Sequence, residues 1–224
     1  MKNQNTSSTK TQAVRHSHKF TLIATTVLLC NAALTLAAQA QTTNQASPAT
    51  TQGATTNAAG FAKQVTVAGS PLQFNGSGIR YKIFFKVYNL AMYTASRVST
   101  AQAVLNLRSP VRLHFVALRE LPGADLGVLF LRAIKDNSPP DLISKHEASI
   151  NRLVEIFSGR AKIMPNETFA MDFVPGKGTT FYIQDVAQGA PIGNDEFSAM
   201  VLKIWLGQAP VDNSLKDALL GLPS

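Results

Sequence analysis

Hydrophobic residues in this chain recur first with a period of two and then with a period near 3.6, and that order restricts the fold more than any single motif. Residues 79–93 place Ile79, Tyr81, Ile83, Phe85 and Val87 on one parity, with Arg80, Lys82, Phe84, Lys86 and Tyr88 on the other. Strand side chains alternate between faces, so the spacing predicts a strand with an apolar and a cationic side. Residues 111–118 alternate less cleanly, Val111, Leu113, Phe115 and Ala117 against Arg112, His114, Val116 and Leu118, as in a more buried strand. Leu126, Leu129, Phe130, Ala133 and Ile134 then fall at helical spacing behind Pro122-Gly123. Ser138-Pro139-Pro140-Asp141 starts a further helix with serine as N-cap, continued by Ile143, Ile150, Leu153, Val154 and Phe157. Pro175-Gly176-Lys177-Gly178, between Thr168–Val174 and Thr179–Ile183, is a hairpin signal. Asn194 caps a helix with the stripe Phe197, Met200, Val201, Ile204 and Trp205, and a short helix runs from Asp212 to Leu220. Strands, helices, a hairpin and more helices in that order predict an α+β fold, an antiparallel sheet with helices layered on one face.

The first forty residues carry Lys2, Lys10, Arg15 and Lys19 and no acidic residue, run apolar from Phe20 to Ala38, and end in Ala38-Gln39-Ala40. This is the pattern of a cleavable export signal over residues 1–40, which implies a periplasmic or secreted product. The apolar stretch is also about as long as a membrane span, but Thr21, Thr25, Thr26, Asn31 and Thr35 dilute it and no basic stop-transfer follows. A stable membrane span is therefore not expected after cleavage. Residues 41–60 are uncharged and rich in Thr, Gln, Asn, Ala and Ser, unable to bury enough surface to offset ordering, and read as a flexible linker. That leaves residues 61–224 as the folded domain.

Cleavage removes the only cysteine, Cys30, so packing rather than disulfides must hold the exported domain together. Four basic residues leave with the signal; 17 basic against 13 acidic residues remain, and the formal charge falls from +8 to +4. Nucleic-acid binding loses its main compositional support.

The histidines outside the signal are His114 and His146, and no His, Cys or Asp cluster has metal-ligand spacing. No metal or cofactor is implied. His146 falls on the apolar side of its helix and reads as a hydrogen-bonded core residue. Asn75-Gly76-Ser77-Gly78 leads into a strand rather than a helix, so no helix N-terminus presents amides to a phosphate there. Arg80 follows this glycine-rich stretch, where small residues let a ligand approach the backbone. With Lys82, Lys86 and Tyr88 nearby it suits an anion held by charge-assisted hydrogen bonds; a solvated sheet face has the same spacing.

The run Phe74-Asn75-Gly76-Ser77-Gly78-Ile79-Arg80, continuing to Lys86-Val87-Tyr88-Asn89-Leu90-Ala91-Met92-Tyr93, resembles the chalcone isomerase-like family. So does the C-terminal Ile204-Trp205-Leu206-Gly207 with Pro210-Val211-Asp212, which looks like the end of its exported bacterial branch. The resemblance implies an open-faced sandwich, with a ligand cleft between sheet and helices. The plant enzymes of the family add a phenolate to an enone, chemistry that needs a cation for the phenolate and donors for the developing enolate. Arg80 looks like their catalytic arginine. Tyr88, however, stands in place of their threonine, Leu126 near their tyrosine, Ala133 near their asparagine, with Asn137 one turn on, and about Ala190 at their Ser/Thr position.

A non-catalytic branch of the family binds fatty acids through an arginine and a tyrosine, to which Arg80 and Tyr88 are similar. The expectation is therefore a protein that binds a small amphipathic or carboxylate ligand through Arg80, Tyr88 and Asn137. The rivals are an isomerase or intramolecular lyase using Arg80 as electrostatic catalyst, and a structural or partner-binding protein with a closed cleft. An unbroken strand would hold Arg80 and Tyr88 roughly 26 Å apart, at about 3.3 Å per residue, so a shared ligand requires a bend or bulge between them.

Overall fold

The structure is a computed structural model that describes residues 56–57, 59–106 and 108–223. The expected export signal and nearly all of the expected linker lie outside the described residues. Within the linker's last residues, Thr56 bridges Ala62, and the Asn57 side chain accepts from the backbone N–H groups of Ala59 and Phe61.

Ala68 and Gly69, both at positive φ (49° and 81°), form the two-residue turn that joins β1 (Gln64–Val67) to β2 (Ser70–Lys82). The chain then runs through β3 (Phe85–Thr94), α1 (Ala101–Leu105), β4 (Val111–Ala117), β5 (Leu121–Pro122) and α2 (Gly123–Asn137). It continues as α3 (Pro140–Lys145), α4 (Glu147–Ser158), β6 (Lys162–Ile163), β7 (Thr168–Val174), β8 (Gly178–Ile183), β9 (Val186–Ala187), α5 (Asp195–Leu206) and α6 (Asn213–Leu219). Seven strands form one antiparallel sheet in the order β1-β2-β3-β4-β7-β8-β9, while β5 and β6 pair separately. The expected α+β layering is present, and no helix among the described residues is long and apolar enough to cross a membrane.

Alternation decides what each sheet face buries. Leu90 and Met92 of β3, Val111, Leu113, Phe115 and Ala117 of β4, and Phe169, Met171 and Phe173 of β7 join the stripes of α2, α4 and α5 in the main core. Phe115 stacks on Phe169 with ring centroids 4.3 Å apart, and Trp205 of α5 lies 5.3 Å from Phe115. The opposite face carries a smaller cluster of Phe61, Val67, Leu72, Ala91 and Tyr93. There too Arg112 forks onto Asp172 (2.5 and 2.7 Å), a bidentate pair across β4 and β7.

Two expectations about elements are corrected. Residues 79–93 are not one strand: β2 ends at Lys82, Ile83 and Phe84 reverse the chain, and β3 returns. The period of two runs unbroken through the turn because neither turn residue is Gly, Asn, Asp or Pro, and Ile83 takes φ +59°, a region β-branched residues rarely enter. The supposed apolar parity is accordingly not buried there, Tyr81, Ile83 and Phe85 being 46%, 78% and 62% exposed. The helix expected across residues 138–157 is broken at His146, whose backbone (φ −108°, ψ 17°) leaves the helical region between α3 and α4. Ser138 ends α2 instead of capping the next helix, and Pro139 occupies the N-cap position before Pro140.

Candidate functional site

The hairpin turn at Ile83-Phe84 makes Arg80 and Tyr88 direct cross-strand partners. Side chains directly opposite in an antiparallel pair share a face, and Tyr88 belongs to the main core, so both point to the helix side. The Arg80 guanidinium carbon lies 5.8 Å from the Tyr88 ring centroid. The register slips between Arg80 and Tyr81, where Tyr81 pairs with Lys86, leaving Val87 as the extra residue of a bulge. The bend and bulge that a shared ligand requires are both present.

Tyr88 is buried against Phe115 and Phe169, with ring centroids at 5.3 and 6.3 Å. Its hydroxyl accepts a hydrogen bond from Trp205 Nε1 at 2.9 Å. Burial pushes the Tyr88 hydroxyl up from its ordinary 10.0 to about 12; the Arg80 charge, the indole N–H and a hydrogen bond from Arg80 pull it down, and Asp212 adds to the rise. The phenol is therefore neutral at physiological pH. The hydroxyl accepts from Trp205, and its own proton remains free to donate.

Arg80 is half-buried, and its Nε is buried without a hydrogen-bond partner among the described residues. The nearby Asp212 carboxylate is used elsewhere: it accepts from Tyr81 N (3.3 Å) and, as the N-cap of α6, from Leu215 N (3.0 Å). A buried donor that loses water without gaining an acceptor costs roughly 1–3 kcal/mol. The site thus holds two donors, a cationic N–H and a neutral O–H, on one face of a tight hairpin. Chemically it suits an oxyanion.

Asn137 has a different setting. Its Nδ2 donates to Ala133 O and Ala209 O, its Oδ1 accepts from Ala209 N, and Gly207 packs so closely that a Cβ there would lie 2.1 Å from Asn137 Oδ1. The structure brings Arg80 and Tyr88 together and engages Asn137 in joining the end of α2 to the loop after α5. Leu126 and Ala133, at the positions resembling the plant tyrosine and asparagine, are buried in the main core, and Ala190 is exposed.

The glycines before Arg80 also differ from expectation. They admit α6, and beside it Asn75, Gly76 and Ser77 line a surface cavity with Arg97 and Ala218. A Cβ on Gly76 would lie 2.2 Å from the Ala218 carbonyl oxygen, and one on Gly78 would lie 2.8 Å from Ala218 Cβ. Asn75 sits at a bulge opposite β3, fully buried, donating to Val98 O and Leu219 O and accepting from Val98 N. The Asn-Gly-Ser-Gly run is thus the seat of the C-terminal helix. Leu215 and Leu219 of α6 are buried over it.

Cavities open in other places. One of about 190 Å³ lies between α1, β7 and α5, lined by Val104, Arg108, Phe173, Asp195, Ser198 and Leu202 among others. Another, of about 570 Å³, is bordered by Asn137, Gln102, Lys203 and Lys216. Neither is lined by Arg80 or Tyr88. His146 is buried and bonds Glu196 Oε2 at 2.6 Å, an oxygen that Lys145 also approaches at 2.6 Å. Among the described residues no group of three His, Cys, Asp or Glu side chains is placed to hold a metal.

Trp205 and Asp212 are the site residues that sequence reasoning missed as such. Trp205 showed only as part of a helix stripe and Asp212 only as a helix start, and no local signal joins Trp205 to a tyrosine 117 positions away.

A family model described as chalcone isomerase-like matches residues 53–221. A search of curated proteins finds no match. Among solved structures, the chain is similar to the crystal structure of a fatty-acid binding protein from Arabidopsis thaliana, with 14% sequence identity and a TM-score of 0.51, covering 72% of this chain and 92% of that one. At that identity the likeness is one of fold.

Proposed function

Because this chain belongs to the chalcone isomerase-like family, we propose that it is an exported protein that binds a small amphipathic carboxylate of the fatty-acid type, with Arg80 and Tyr88 as the headgroup clamp. The observation that carries the reading is the buried, unpartnered Nε of Arg80 beside a neutral tyrosine hydroxyl with a proton to give. A carboxylate supplies two oxygens, one for each donor, and a guanidinium bond to it is of the stronger, charge-assisted kind. The structural relative named as a fatty-acid binding protein supports the same ligand class.

Leu126 and Ala133 weigh against the isomerase reading, since enolate stabilisation needs donors and both positions are apolar. The alkyl chain would enter where α6 leans on β2, so α6 is the element that must yield. Export to the periplasm or beyond follows from the basic, apolar and small-residue pattern of residues 1–40.

Native mass spectrometry of the protein recovered from the exported fraction tests both parts together. The expected species starts at Gln41 and takes up one saturated fatty acid, with a saturable change in the fluorescence of Trp205, the chain's single tryptophan. No mass shift and no fluorescence response would remove the ligand assignment, and a mature mass that retains residues 1–40 would remove the export assignment. Cyclisation of a chalcone that disappears in Arg80→Ala would reassign the protein as an isomerase.

A further inference from the structure

The β2–β3 hairpin ends in a tip that folding does not explain. Phe84 is 89% exposed and Ile83 78% exposed, with Tyr81 and Phe85 also exposed beside them. Ile83 adopts φ +59°, where a β-branched side chain is strained and Asn or Gly is the ordinary choice. Strain and exposed aromatic surface at one two-residue turn both oppose stability, a combination that points to use.

The charged side chains exposed on the hairpin itself are basic. Lys82 and Lys86 are exposed on the two strands, and Arg119 places its guanidinium carbon 5.5 Å from the Phe85 ring centroid. The acids near it are engaged: Asp212 accepts from Tyr81 N and Leu215 N, and Glu120 pairs with Lys162 at 2.9 Å.

We infer that this tip docks the protein on an anionic lipid surface. Ile83 and Phe84 would enter the headgroup boundary, Tyr81 and Phe85 would sit at its level, and the lysines and Arg119 would meet lipid phosphates. A lipid surface fits better than a protein groove. The patch is a convex turn of four side chains, whereas a specific protein interface uses about 20–30 residues a side. The docking goes beyond the ligand reading and does not depend on it, although it would bring Arg80, three residues before Ile83, to the surface from which a lipid carboxylate comes.

Phe84→Trp in the full chain places a reporter at the tip. Its indole is expected to be quenched by bromine-labelled phosphatidylcholine in vesicles containing an equal part of phosphatidylglycerol, and far less in vesicles without it. In the exported species that starts at Gln41, Phe84→Asp should lower the vesicle-bound fraction roughly tenfold, the partitioning contributed by one aromatic side chain. Lys82→Glu with Lys86→Glu should remove the preference for phosphatidylglycerol. Residues 20–38 are apolar and can themselves carry the chain to vesicles, but they cannot quench an indole at position 84. An unquenched indole, or equal quenching with and without phosphatidylglycerol, overturns the inference. So does a lipid-free self-association that Phe84→Asp abolishes, which would make a second copy the occupant.

Discussion

Replacing Arg80 with glutamine is expected to weaken fatty-acid binding by roughly ten- to a hundredfold, the loss of a charged hydrogen-bond partner worth about 1.5–3 kcal/mol. The melting temperature should scarcely move. Nε of Arg80 has no acceptor among the described residues, so the substitution removes a buried, unsatisfied donor, and that gain offsets the lost contact between the guanidinium and Tyr88. Isothermal titration with a saturated fatty acid, alongside a calorimetric melt, separates the two effects. Unchanged affinity would show that the guanidinium does not hold the carboxylate; a large drop in melting temperature would show that its main work is structural.

Gly76→Ala is expected to cost about 3 kcal/mol of stability, at the upper end of what overpacking a tight contact brings. The added methyl meets the carbonyl oxygens of Ala218 and Leu219 at 2.2 and 2.6 Å, backbone atoms that cannot rotate aside, so α6 must lift from β2. Ser77→Ala, at the next residue, touches no such contact and should be nearly neutral. Denaturant midpoints of the two variants measure the difference. Equal midpoints would show that α6 is held too loosely over β2 to form the cover that a ligand must displace.

How far the molecule was legible from its residues depends on whether each element signals itself locally. The β7–β8 hairpin did, because Pro175-Gly176-Lys177-Gly178 carries the residues such a connection demands, and Gly176 and Gly178 take positive φ. Asn194 did as well, its Oδ1 accepting from Phe197 N. The Ile83-Phe84 turn did not, since it keeps the alternation of a strand and uses residues that turns avoid. That one hidden reversal made Arg80 and Tyr88 look far apart when they face each other. The stop at His146 was equally silent, because the apolar spacing continues across it.

The same limit applies within the site. Arg80 and Tyr88 could be singled out by type and resemblance, but part of their environment comes from chain segments more than a hundred residues away. Trp205 reaches Tyr88 from α5, and Ala218 and Leu219 occupy the glycine seat from α6. The glycines drew attention as a place for close approach. Close approach was right in kind, but the partner is the protein's own helix.

The most direct measurement is the position of the carboxylate in a crystal structure of the protein with a bound saturated fatty acid. A carboxylate oxygen within hydrogen-bond distance of Arg80 Nε, its partner oxygen on Tyr88 Oη, and α6 displaced from Gly76 and Gly78 is the predicted result. A carboxylate bound to Arg108 in the cavity between α1 and α5, with Arg80 and Tyr88 still packed as before, would contradict it.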